Sequence, residues 1–312
     1  MAKSFGKSLA LQKFIKILEG QIRNYWQIQT AIIYSQRWWG TIPAANLPQT
    51  LAKYPGDSGM PFSSIDISPE QFLHNASNVQ TLNLDNSIVN IITEFEVYLF
   101  DIVKRLIYLY PSLIADSEMP MEASEIGSAI NSGEPREWFA HKITDKYLRN
   151  KTHLKMIQKI QKVIKYNIDP AYKSKIEDWN KWTYVRNAII HSGREVSQDL
   201  QRTWPEKYPN IGVQIALTDK DFVSLHGLAL QLAKVVDERI MTLYIKNADA
   251  VLLVREFFVK DGYDNNKDLS RRINLILNYR MNPTEVDKAL GYQRRTNAKV
   301  DDWRFSHFNF QQ

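Results

Sequence analysis

The segment NSIVNIITEFEVYLFDIVKRLIYLYP, residues 86–111, limits the folds open to this chain more than any other. Its apolar residues recur at helical spacing on more than one stripe, and Pro111 stops it. A helix that is apolar on several sides has to be covered on several sides, so it belongs in the middle of a bundle. Other segments supply the cover. Residues 7–38 carry Leu11, Phe14, Ile15, Leu18, Ile22 and Trp26 at three- and four-residue intervals, an amphipathic helix loosened at Gly20 that ends before Pro43. Two further helices are expected, from about Glu137 to Arg149 and from Lys151 to Tyr166. The second turns Leu154, Ile157, Ile160 and Ile164 inward and Lys151, Lys155, Lys159 and Lys162 outward. Thr218 with Asp221 three residues later reads as the N-cap of a helix running to about Tyr244, whose stripe is Phe222, Leu225, Leu228, Leu232, Val235 and Val236. The expected class is all-α.

Between these helices, Gly40 to about Asn83 is rich in Pro, Gly, Ser and Asn and reads as a long irregular loop, a kind that is either mobile or functional. IGVQIALTD has the β-branched content of a short strand or extended arm. From Ala248 onward the chain has helical pieces, and NPTEVDKALGYQRRTNAKVDDWRF suits either a helix-turn-helix or a docking appendage. These shifts divide the chain into an N-terminal helix and loop (1–80), a central helical domain (81–246) and a C-terminal helical appendage (247–312).

Composition narrows the chemistry. With no cysteine among 312 residues there is no thiolate metal site, no thiol nucleophile and no disulfide. The opening MAKSFGKSLALQKFIKILEGQ has its apolar residues interrupted at helical spacing, so no signal-peptide core forms, and no stretch has the apolar length of a membrane span. A soluble, cytoplasmic protein with no membrane partner is expected. The net charge of +6 is concentrated: Lys142 to Lys181 holds eleven basic residues against four acidic ones, which leaves the remainder at 29 against 30. Such a patch is either a polyanion surface or a solvated helix face.

The basic stretch ends in WNKWTYVRNAIIHSGREV, residues 179–196, where Arg186, Asn187 and His191 stand as Arg-Asn-x3-His. Two other arginine–histidine pairs have similar spacing, Arg136 with His141 in REWFAH and Arg149 with His153 in RNKTH. Context separates them. Asn follows Arg186, small or apolar Ala188, Ile189 and Ile190 intervene, and Gly193 supplies a helix stop, whereas Glu137 after Arg136 puts negative charge where a phosphate would sit. At 100° per residue Asn187 and His191 share one helix face, and Arg186 needs its long side chain to join them. RNA carries its own nucleophile, the 2′-hydroxyl. A cleaving site therefore needs a proton acceptor that titrates near neutrality, which His191 supplies, and a permanent cation for the phosphorane, which Arg186 supplies. Asn187 would orient the imidazole or a phosphate oxygen. The bland alternative is two isoleucines packed inward with Arg186 and His191 making surface hydrogen bonds.

The motif resembles the Arg-(polar)-x3-His signature of the HEPN superfamily of ribonucleases. The order of a long early helix with acids and aromatics, a motif segment, a Gly turn and a closing helix is similar to HEPN domains of defence and toxin type over about residues 80–246. The resemblance implies a HEPN-like bundle and a metal-independent endoribonuclease that needs no cofactor and leaves a 2′,3′-cyclic phosphate and a 5′-hydroxyl. It also implies a homodimer with facing motifs, and an antitoxin or defence-system partner protein. It further suggests that Glu94 or Glu96 contacts the motif arginine; an ordinary solvated or ion-paired carboxylate is the other reading. Gly193 occupies the position where one toxin subtype carries a modifiable tyrosine, so that mode of control is not expected. Consistent with the implied mechanism, no HExxH, no clustered acidic ladder and no Cys/His quartet occurs. Lys151, Lys155, Lys159 and Lys162 are candidate RNA contacts. Trp182, with Trp179 and Tyr184, either stacks on splayed bases or anchors a core or interface. A non-catalytic HEPN module that binds RNA, nucleotide or protein is the second reading, and a DNA-binding regulator the third. His74, His226 and His307 lack metal-ligand spacing.

Overall fold

A computed structural model describes residues 5–47, 67–114, 121–167 and 172–296, and among them the fold is all-α, with eleven helices and no strand. The helices are α1 (Leu9–Thr41), α2 (Pro69–Leu109), α3 (Ala123–Asn131), α4 (Pro135–Leu148), α5 (His153–Val163), α6 (Lys173–His191), α7 (Gln198–Thr203), α8 (Asp219–Ile240), α9 (Ala248–Asp261), α10 (Asn266–Leu277) and α11 (Pro283–Thr296). No described helix is long and apolar enough to cross a membrane.

The expected helices are present, with instructive differences. α1 runs through Gly20 unbroken. α2 begins at Pro69, so residues 69–83 are helix and not loop; Ser68 and Gln71 cap each other's backbone N–H groups, and Pro69 supplies a first-turn φ. At its other end Gly40 and Thr41 belong to α1 and Ala44–Asn46 form a short 3-10 turn, while residues 48–66 of the expected loop lie outside the described residues. α3, not anticipated, is opened by a second reciprocal cap between Glu122 and Glu125. The Thr218–Asp221 cap opens α8 as the sequence suggests, with Asp221 accepting from the Thr218 N–H at 2.9 Å. The extended arm is real but short: Glu195 and Gln214 form an isolated bridge. In the tail, α10 and α11 are described, while the second half of the helix-turn-helix pattern and His307 fall outside the described residues.

The chain forms two compact units, each built from non-adjacent segments. One comprises Met1–Ile17, Thr93–Thr183 and Gly227–Gln312, the other Leu18–Ile92 and Tyr184–His226. The reason is length: α1, α2, α6 and α8 each contribute residues to both.

In the larger unit, Phe14, Phe95, Tyr98 and Trp179 form an aromatic core with ring centroids 4.4–6.1 Å apart. A second core joins α9, α10 and α11 through Leu253, Leu269, Ile273, Val286 and Leu290, and takes in Leu9 of α1. The start of α1 is held by two buried carboxylates. Asp237 accepts from the Ser8 N–H (3.0 Å) and hydroxyl, and Asp249 accepts from the Leu9 N–H (2.9 Å) while pairing with Arg105 at 2.7 Å. Of the two acids, Asp249 is the one that pairs with Arg105. Burial, relieved in part by the Ser8 hydrogen bonds, pushes the Asp237 carboxyl up to about 7, and the Asp249 charge adds to the cost of ionising it.

In the smaller unit, Tyr25 of α1 packs on Phe222 of α8 with ring centroids 4.3 Å apart, and its hydroxyl donates to Asp219. Gln29 and Asn83 bond across α1 and α2, to Gln80 O and Tyr25 O respectively, at 3.4 Å each. This unit carries the last turns of α6, and with them the motif.

Candidate active site

The last turns of α6 present Arg186, Asn187 and His191 from one helix end. Ala188 is buried and fixes the helix, Ile189 is half-buried, and Asn187, Ile190 and His191 are exposed. The Arg186 Nη1 donates to the Asn187 Oδ1 at 3.1 Å. That bond sets the guanidinium beside Asn187, whose helix face His191 shares at 100° per residue, and leaves the Asn187 amide N–H groups as donors. The isoleucine-inward reading fails at Ile190, whose side chain faces solvent.

The helix ends as Gly193 demands. Gly193 and Arg194 both take left-handed φ, +58° and +68°, and the N–H groups of Ser192 and Arg194 close on the Ala188 carbonyl at 3.1 Å each. No atom lies within 4 Å of where a Gly193 Cβ would be, so glycine is favoured there by its φ and not by crowding. Arg194 adopts the same conformation at a cost. Its guanidinium donates to Ile215 O (2.9 Å), its N–H and carbonyl sit between α6 and the 212–215 arm, and its Nε stands 2.8 Å from the Asp85 carboxylate of α2. The N–H is not aligned on that oxygen, so the contact is an ion pair more than a hydrogen bond, and Asp85 Oδ1 is buried with no hydrogen-bond partner among the described residues. Asp85 is 3% exposed, and burial raises its carboxyl above the usual range while Arg194 pulls the other way. Tyr208, buried nearby enough to feel Arg194 and Asp221, has its phenol raised by burial.

The acid that α2 sends to the motif segment is thus Asp85, and it takes Arg194, not Arg186. Glu94 lies in the field of Lys13 and Asp101, and Glu96 meets His153 Nε2 at 3.3 Å. Asp85 was legible as an acid on a buried stripe, three and seven residues before Ile88 and Ile92. Its partner was not, because nothing local couples it to residue 194.

In the rival pairs Arg136, Arg149 and His153 have framework contacts, while His141 is exposed. Arg136 donates to the carbonyls of Tyr108 (2.7 Å) and Leu109 (3.3 Å) and lies 4.9 Å from the Tyr108 ring centre, so it caps the C-terminus of α2. Arg149 pairs with Asp145. His153 is buried, and its Nδ1 accepts from the Trp179 indole at 2.9 Å, which leaves the ring proton on Nε2, facing Glu96. Of the three pairs, Arg186/His191 alone has a histidine open to solvent beside an arginine not spent on the helix framework.

The other expected RNA contacts divide. In the larger unit Lys151, Lys155 and Lys162 are exposed as a stripe at the start and along the outer face of α5. Lys159 is half-buried, its Nζ 4.0 Å from the Tyr147 ring centre; burial and then the charges of Lys151 and Lys162 lower its pKa, the mark of a crowded basic face. Trp182 does not fit a stacking role. It is 5% exposed, so its ring offers no open face to a base, and with fully buried Trp179 it is a core anchor. Among the described residues no group of three or more His, Asp or Glu is placed to hold a metal ion. His226 is half-buried and its pKa lowered by that burial.

No protein-family model, curated protein or solved structure matches this chain.

Proposed function

We propose that this chain is a HEPN-type endoribonuclease that cleaves RNA without a metal ion. The observation that carries the reading is the Arg186–Asn187–His191 set at the end of α6, with the guanidinium hydrogen-bonded to Asn187 and His191 exposed. His191 takes the proton from the 2′-hydroxyl as its oxygen bonds to phosphorus. The P–O5′ bond breaks and the 5′-oxygen leaves with a proton, giving a 2′,3′-cyclic phosphate and a 5′-hydroxyl. Arg186 and the Asn187 amide stabilise the extra charge on the non-bridging oxygens between those events. One motif offers a single proton-handling group, so the working unit is a homodimer whose second copy supplies the acid.

The test is incubation of purified protein with mixed RNA in EDTA beside His191→Ala. Cyclic-phosphate ends from the wild type alone support the reading; activity that needs added Mg²⁺ overturns it. A second reading, a HEPN module that binds without cutting, is favoured by the openness of His191, which no neighbouring side chain orients among the described residues; it predicts RNA retention with no new ends.

A further inference from the structure

The smaller unit carries a surface that the ribonuclease reading does not use. From Gly20 to Thr41, α1 contains no acidic residue and no lysine, only Arg23 and Arg37, and it exposes Trp26 and Trp38 at 41% each and Tyr34 at 73%. Buried Tyr25, Gln29, Ile32 and Trp39 face the other way. Arg23, Trp26, Gln27, Thr30, Ala31 and Tyr34 line one shallow groove. At 100° per residue, Arg23, Gln27, Tyr34 and Trp38 fall along its centre, while Trp26 and Arg37 fall together on one edge. Arg23 to Trp38 spans about 22 Å at 1.5 Å per residue.

We propose that this face pairs with the same face of a second copy, helix antiparallel to helix, around a two-fold axis between Thr30 and Ala31. The pattern is self-complementary in that register. Arg23 of one copy falls opposite Trp38 of the other, and on the edge Arg37 falls near Trp26, so each cation meets an indole and no cation meets a cation. Tyr34 falls opposite Gln27, a hydroxyl against an amide. The small side chains of Thr30 and Ala31 occupy the crossing point, where two helices approach most closely. Trp, Tyr and Arg are also the residues that dominate protein interfaces.

A nucleic acid is the weaker fit. Tracking a phosphate backbone takes a row of cations, since each neutralised phosphate contributes its own counterion release. Two arginines in 22 residues do not make a row. For pairing, three aromatic side chains of about 150–250 Å² each, partly covered already, give a modest interface, so association should depend on concentration.

The inference rests on the ribonuclease reading only in naming a surface that joins the two copies which that reading requires, and sedimentation tests the surface separately from cleavage. The full-length wild type should move from one to two chain masses as its concentration rises, and Tyr34→Glu, at an exposed position, should hold it at one. Arg23→Glu and Trp38→Lys should each weaken pairing, and the two together in one chain should restore it, because antiparallel register sets the new Glu against the new Lys. Circular dichroism of each variant checks that the fold is kept. A wild type that stays single at every concentration overturns the proposal. So does a dimer that Tyr34→Glu leaves intact, or a monomer whose binding to single-stranded RNA is lost in Tyr34→Ala.

Discussion

The Asp85 carboxylate stands 2.8 Å from the guanidinium of Arg194, and Arg194 is a left-handed residue three positions after His191. The pair therefore ties the strained end of the motif helix to α2. Asp85→Ala would leave a partly buried cation and a strained turn, and should cost about 1–3 kcal/mol in urea unfolding. The pH dependence has a definite sign. Asp85 has a folded-state pKa raised by burial, so its folded form holds its proton more firmly than the unfolded chain. Its stabilising contribution is complete below the ordinary carboxylate range and is lost as pH rises through the raised value. Asp85→Asn should flatten that limb; an unchanged pH profile would show that the pair is fully ionised.

Arg186→Ala and His191→Ala should each abolish RNA cleavage while changing unfolding free energy by no more than about 0.5 kcal/mol, because neither side chain supports the core. Arg136→Ala should do the reverse. Removing the guanidinium that caps Tyr108 O and Leu109 O should lower stability by about 1 kcal/mol and leave cleavage intact. Activity lost in His141→Ala and kept in His191→Ala would transfer the site to α4.

The helical class was legible because apolar periodicity marks much of the core: Phe14, Ile157, Ile160, Phe222 and Leu225 are buried as their spacing requires, while Trp26, in the same spaced series as Phe14, is exposed. The start of α2 was obscured by composition. Its first turns, FLHNASNVQ, are polar and follow a Pro- and Gly-rich segment, although Ser68 and Gln71 already spelled a capping box. At the site, Arg186, Asn187 and His191 were legible because four-residue spacing is itself helical geometry. The burial of Trp182 and the framework contacts of Arg136 and His153 were not, since they depend on packing between segments distant in sequence, although sequence context already favoured Arg186 and His191 over the other pairs.

The lysine stripe makes a separate prediction. If Lys151, Lys155 and Lys159 follow an RNA backbone, changing all three to Glu should weaken binding and reduce the slope of log K against log salt by about 0.7 for each lost phosphate contact on a single strand. Filter binding over a salt series measures it. A slope equal to the wild type's would make the stripe a solvated face.

Asp237 should govern a second pH limb. With its pKa pushed up to about 7, the folded chain keeps a proton that the unfolded chain releases near the ordinary carboxylate value of 3.8. Stability from this group is therefore complete below about pH 4 and is lost as pH climbs through about 7. Asp237→Asn, which still accepts from Ser8 but carries no charge, should raise the melting temperature at pH 8 relative to wild type and remove that advantage at pH 5. Parallel melting curves for the two proteins across the range would mean that Asp237 is charged throughout.

The shared-site prediction follows from counting proton carriers. Cleavage needs one group to remove the 2′-hydroxyl proton and another to supply one to the 5′-oxygen, and each copy's motif offers His191 alone. Mixing wild type with an equal amount of His191→Ala protein, once subunit exchange has been confirmed by labelled chains, separates two outcomes at fixed total concentration. Copies that act independently retain about half of the activity. A site that needs both histidines retains about a quarter, because random pairing leaves only that fraction of dimers fully wild type. Retention near a quarter is expected. Retention near half would mean that the acid comes from within the same copy, from water or from a side chain other than a second His191.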